Sequence, residues 1–177
     1  MKIRNQRLEI AGDSCTLDNL LYVNVAESYF QLVAQSILKI LEDQVPGTSL
    51  NVTIPKMVNF LNFLKGNACL SIEECIIAIA LLQRFIQKQS MKGVQILKAN
   101  NIGTFLVVLF IATMKIHRDI VYKNSCFARI FVIPIRILNE SETLFLQTID
   151  FEIWIQQETF SRLFDEILHI LSARIDH

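Results

Sequence analysis

The chain has 177 residues, with 17 basic and 17 acidic side chains, three histidines and no net charge. That length suits one domain, or one domain with a tail, able to bury about 70% of the surface its unfolded form exposes. Balanced charge argues against a nucleic-acid partner, which draws on a basic excess or stripe.

Hydrophobic residues make up 52% of the chain, with mean hydropathy +0.39. The most apolar run, residues 102–114, stops at Lys115. It falls well short of the about 20 residues a membrane-spanning helix needs, so no membrane association is expected. The apolar excess reads instead as a buried central helix plus apolar surface kept for a partner. No apolar segment follows the first seven residues, so no secretory signal is expected. Cys15, Cys69, Cys75 and Cys126 form no C-x-x-C pair and read as free thiols of a reducing compartment. An intracellular location, in cytoplasm, nucleus or both, follows as an expectation. His117, His169 and His177 have no ligand spacing with each other or with the cysteines, so neither metal nor cofactor is expected.

Five glycines and three prolines leave few turns for a β fold, and the periodicity is helical nearly throughout. The expected class is all-α. Residues 1–23 lack a clear period and read as a loose arm. A helix is expected from Asn24, with Glu27 as the N3 partner of that cap. Tyr29, Phe30, Val33, Ile37, Ile40 and Leu41 give it an apolar face, and Val45-Pro46-Gly47 stops it. Residues 46–53 read as a linker, so 24–53 forms one N-terminal helix-and-linker unit.

Thr53 and Pro55 open a short helix through Met57, Val58, Leu61 and Leu64, ending at Gly66-Asn67. Ser71 with Glu74 spells a capping box. The helix it starts runs through Ile72, Cys75, Ile76, Ile79, Leu82 and Ile86 to about residue 89. A polar connection with Gly93 covers 90–101. The helix over 102–115 is apolar on every side and belongs at the centre. A short helix over 125–131 comes next. Another, opened by Pro134, runs to about 149. An extended turn covers 150–155, and a last helix over 158–173 carries a partly buried His169.

Several stretches fit one pattern. Ala112-Thr113-Met114-Lys115-Ile116 ends the central helix and leads to His117-Arg118-Asp119. Tyr122, Asn124 and Ala128 follow, then Leu138, Asn139, Glu142, Phe145, Leu146, Asp150 and Phe151. Upstream stands Leu82-Gln83-Arg84-Phe85. Over about residues 54–160 these resemble the cyclin box, most like the short single-box cyclins of the phosphate-signalling type of fungi and protists. There are departures. Arg118 stands where the family has an acid, Gln83 where it has aspartate, and Phe60 where its first box helix has arginine.

The resemblance implies a cyclin-box fold over 54–155. That is a five-helix domain with a buried third helix, preceded by an N-terminal helix and followed by a C-terminal helix over 156–177. It also implies a regulatory subunit, not an enzyme, that is monomeric when alone and that binds and activates a cyclin-dependent protein kinase. The surface it implies comprises Lys115, Ile116, Glu142, Leu146, Phe151 and Ile153. The lysine–glutamate pair would hydrogen-bond the backbone at one end of the kinase's regulatory helix, where peptide groups lack helical partners. The competing reading is a cyclin-fold adaptor or transcription-related protein that binds no kinase. Such a protein would be expected to carry two boxes and a basic face.

One tempting signal is set aside. His117-Arg118-Asp119 with Asn124 has the spacing of a kinase catalytic loop. The Gly-rich loop, V-A-I-K strand and D-F-G that give that loop its chemistry are absent. No catalytic residue is assigned, and Asp119 reads as a cap for the next turn.

Overall fold

The computed structural model describes the backbone of residues 11–120 and 122–175 and the side chains of 28–120 and 122–170. The described residues form eight helices and no strand, as the all-α expectation requires.

Helix α1 spans Ala11–Gln44 and so starts well before Asn24. The expected arm over 1–23 is therefore helical from residue 11, and its first ten residues lie outside the described ones. No glycine or proline occurs from 13 to 45, so a helix once begun propagates through the stretch. Asn24 and Glu27 fall inside it, where no unpaired N–H remains to cap. The stop is as expected. Gly47 adopts a left-handed φ of +86°, and the Glu42 carboxylate accepts the N–H groups of Gly47 and Ser49 at 2.7 Å each. The expected linker contains a short helix, α2 (Thr48–Asn51).

Helix α3 (Ile54–Ala68) continues past Gly66 and Asn67 and ends at Cys69, which takes φ +51°. Helix α4 (Ile72–Met91) opens on the expected capping box. The Glu74 N–H donates to Ser71 Oγ at 3.2 Å, and the Ser71 N–H donates to Glu74 Oε2 at 2.9 Å. Gln89, buried at the end of α4, accepts the N–H groups of Ile96 and Leu97 through its Oε1. This folds the polar connection back onto the domain.

Helix α5 (Ile102–His117) is the centre, with every residue from Phe105 to Met114 buried. Helices α4 and α7 (Ile135–Thr148) pack on its two sides. Phe60 of α3 meets Phe110 edge-on at 5.6 Å. Phe85 of α4 stacks on Phe145 of α7 at 5.3 Å, and Phe105 of α5 packs against both. The short α6 (Asn124–Ile130) rests on α7; α1 rests on α3 and α4; and α8 (Gln157–Ile175) rests on α1 and α4. The five helices α3–α7 around a buried α5 are consistent with the arrangement that the resemblance implies.

Three smaller expectations are corrected. Asp119 caps nothing: Lys123 occupies the position before α6, which has no side-chain cap. Asp150 and Phe151 both take φ +56° rather than an extended conformation. His169 is exposed, because it faces away from the α8 stripe of Leu163 and Ile167 that packs on the core. Among the described residues no helix is long and apolar enough to cross a membrane.

Candidate protein interface

Lys115 is the first polar residue after the apolar run of α5, so it emerges in the last turn of that helix. A cation is favoured there by the unpaired carbonyls of the helix end. Glu142 reaches the same place from α7. Leu138, Phe145 and Ile149 are buried along that helix and its end, which sets Asn139, Glu142 and Leu146 along one edge. Lys115 Nζ lies 2.7 and 2.9 Å from the two oxygens of Glu142.

Asn124, at the start of α6, completes the group. Its Nδ2 donates to Glu142 Oε2 at 2.6 Å and to Asn139 Oδ1 at 2.9 Å. Its own Oδ1 is buried and accepts no bond from the protein. The two motif asparagines therefore orient the glutamate. Asn124 serves Glu142, so it has no part in a catalytic loop of the kind its spacing from His117-Arg118-Asp119 mimics. The pair keeps spare capacity. An ammonium has three donors, of which Glu142 takes at most two, and a carboxylate offers about four acceptor positions.

The apolar residues named from the resemblance divide by depth. Ile116 and Leu146 are half-buried against the core. Phe151 and Ile153 are exposed, in the turn between α7 and α8. Trp154, which the sequence reading passed over, is 80% exposed in the same turn. Its signal was available: the only tryptophan of the chain stands next to a nominated residue.

This turn is tied to α4 by three basic side chains. Arg84 Nη1 donates to the carbonyls of Glu152 and Trp154. Lys88 Nζ lies 3.0 Å from Asp150 Oδ2 and 2.5 Å from Glu152 Oε1. Lys92 Nζ lies 2.6 Å from Asp150 Oδ1 and donates to the carbonyls of Gln147 and Thr148 at 3.0 and 2.9 Å. Lys92, then Lys88, holds the Asp150 carboxyl below its ordinary range. The left-handed conformation costs a residue like phenylalanine about 1–2 kcal/mol, and these ties oppose that cost.

Arg118, the departure from the family pattern, faces the other way. Its Nε and Nη2 meet the two oxygens of Glu74 at 2.5 and 2.6 Å. Nη1 and Nη2 also donate to the carbonyls of Ala68 and Cys69, at 2.7 and 3.1 Å. Arg118 thus closes the end of α3 and fixes the left-handed Cys69. The Glu74 carboxyl is pushed up by burial, but Arg118, the Ser71 N–H and nearby His117 outweigh that and hold it below its ordinary value. Phe60, another of the departures, packs between Phe110 and Phe131.

A half-open cavity of about 160 Å³ lies on the opposite edge of α7 from Glu142. Phe85, Phe105, Val108, Ile137 and Leu144 form half of its wall, and no titratable group lines it. Among the described residues no three His, Cys, Asp or Glu side chains cluster as a metal site would need.

Residues 66–153 match the model of the family described as Cyclin. The match takes in α4 to α7 and includes Lys115, Glu142, Leu146, Phe151 and Ile153. No curated protein and no solved structure matches the chain.

Proposed function

Starting from a chain that carries a cyclin domain over residues 66–153, we propose that it is the regulatory subunit of a cyclin-dependent protein kinase. It binds that kinase and holds it in its active shape, and it performs no chemistry of its own. The observation that carries the reading is the Lys115–Glu142 pair, held by Asn124 and set beside the outward-facing Phe151 and Ile153. The pair offers one spare donor and one spare acceptor on a rigid surface. The end of a kinase helix has unpaired backbone groups of both kinds to receive them. Leu146, Phe151 and Ile153, with the neighbouring Ile116, supply an apolar seat. Docking favours the active kinase conformation because only that conformation makes these contacts.

Ile116 and Leu146, half-buried, stand beside the pair on α5 and α7. Lys88 and Lys92, which reach the same turn, are already bound to Asp150 and Glu152. This supports a protein partner over a nucleic acid. Helix α1, packed on α3 and α4, supports the phosphate-signalling type of cyclin. A kinase partner of this kind works inside the cell, in cytoplasm, nucleus or both.

The test is activation. Purified cyclin-dependent kinases, each mixed with the purified chain, are assayed for phosphorylation of a generic peptide. At least one should gain activity with the wild-type chain and lose most of that gain with Lys115→Ala. No activation of any kinase, with folded wild-type protein, would overturn the reading.

A further inference from the structure

Three basic side chains one helical turn apart, Arg84 and Lys88 of α4 and Lys92 just past its end, all reach the α7–α8 turn, and that turn carries the only tryptophan. We infer that Arg84, Lys88 and Lys92 are positioning residues that lock residues 150–154 in the turn opened by the left-handed Asp150 and Phe151, and that Trp154 is thereby presented as the anchor that enters an apolar recess of the docked kinase. The inference rests on the kinase-docking reading above and adds to it an anchor residue and the device that presents it.

The backbone on both sides of Ile153 is pinned, since the carbonyls of Glu152 and Trp154 each accept a bond from Arg84. The Trp154 side chain is nevertheless 80% exposed, with Phe151 at 62% beside it. A turn without ties would be free to fold these rings back over the domain and shield them from water. Here the ring stays in solvent while its backbone stays fixed. Large aromatics on a fixed backbone are the side chains on which interface affinity concentrates. Ordering completed before docking is not lost from the affinity.

The turn is also continuous with the polar pair. The Phe151 N–H donates to the carbonyl of Leu146 at 2.8 Å, and Leu146 lies one turn beyond Glu142 on α7. An occupant that grips Lys115 and Glu142 therefore lies next to the turn that carries Phe151 and Trp154. Lys88 and Lys92 are charge-compensated by Asp150 and Glu152, and Arg84 is taken up by two backbone carbonyls. The clamp shapes an apolar anchor and does not form a basic patch.

Because Trp154 is the only tryptophan of the chain, the fluorescence of the free protein reports this turn alone; in complexes the kinase's own emission is subtracted, and Kd is read by calorimetry. Four proteins are compared: wild type, Trp154→Ala, the pair Lys88→Gln/Lys92→Gln, and the conservative pair Lys88→Arg/Lys92→Arg. Each is titrated with a panel of purified recombinant cyclin-dependent kinases, and Lys115→Ala serves as the reference for the docking site. Trp154 emission should move to the blue on binding. Trp154→Ala should raise Kd about thirtyfold, the size of an interface hot spot, with an unchanged melt. The glutamine pair should lower the anisotropy of Trp154 in the free protein and weaken binding, and the arginine pair should restore both.

If Lys115→Ala binds weakly while Trp154→Ala binds like wild type, the inference fails and the kinase reading stands. Unmoved emission in a formed complex overturns the anchor, and unchanged anisotropy in the glutamine pair overturns the clamp. A blue shift that appears on concentration without kinase makes a second copy of the chain the occupant and overturns the proposal. If no kinase of the panel binds wild type, the kinase reading falls and the anchor falls with it.

Discussion

Lys115 and Arg118 stand three residues apart at the C-terminal end of α5, and each holds a glutamate, yet the two pairs differ in what is left over. The Glu74 side chain is 1% exposed, and its partner Arg118 makes bonds to both its oxygens and to two backbone carbonyls. The Glu142 side chain is 14% exposed and that of Lys115 29%, with donor and acceptor capacity to spare. The first pair joins α3, α4 and α5 and has its bonding used up inside the fold. The second is orientated but unfinished, as a binding group must be. Burial and bond count, more than residue type, separate a structural tie from an available one.

The sharpest way to break this contrast is Arg118→Ala. It would strand the Glu74 charge in the interior and release the end of α3, so it should cost about 3–5 kcal/mol of stability, read from urea unfolding. A loss under about 1 kcal/mol would put Arg118 in the same class as a surface ion pair. Next comes the effect of the other pair on its proposed partner. Lys115→Ala and Glu142→Ala should each weaken binding to an activated kinase by about 2–5 kcal/mol. The double variant should lose little more than either one, because the two act as a unit. Additive losses in a titration of all three would show independent contacts.

Acid sharpens the comparison further. Glu74's folded carboxyl lies below its ordinary value of 4.5. The stability it contributes is therefore complete above that value and is lost as pH falls through its lower folded value. Melting temperature should drop below about pH 4.5 in wild type, and the drop should be shallower in Glu74→Gln. Equal acid slopes would show that Glu74 contributes nothing to the linkage. The smallest expected effect is Lys115→Ala on stability. Asn124 still serves Glu142, and a part-exposed pair is worth about 0–1 kcal/mol, so the circular dichroism melt should barely move. A large drop there would make Lys115 a structural residue and undo the contrast.

The helices that carry their own punctuation were legible from local sequence. Ser71 with Glu74 starts α4 where the capping box says it should, because both partners lie within one turn. The burial of α5 follows from an apolar run too short for a membrane and too apolar for a surface. Helix α1 was under-read because its first turns carry no apolar period, while nothing in them breaks a helix. Lys115 and Glu142, 27 residues apart, were brought together only by the motif they share with a family. Trp154 was missed because the interface residues came from the family motif, and Trp154 is not among the residues that motif names.

What the sequence determined by itself is the set of helices, their apolar faces and the central place of α5, since each depends on residues within a few positions of one another. The tertiary structure alone decided how the helix ends and turns are shaped. Cys69 takes a left-handed conformation because Arg118, about fifty residues away, holds its carbonyl. Asp150 and Phe151 do so in a turn that α4 grips from about sixty residues away. Local propensity tolerates that conformation at Asp150 but does not favour it for Cys69 or Phe151. Only charged groups brought close by packing of the core can offset their cost, and which carbonyl or carboxylate such a group reaches is settled when the helices meet.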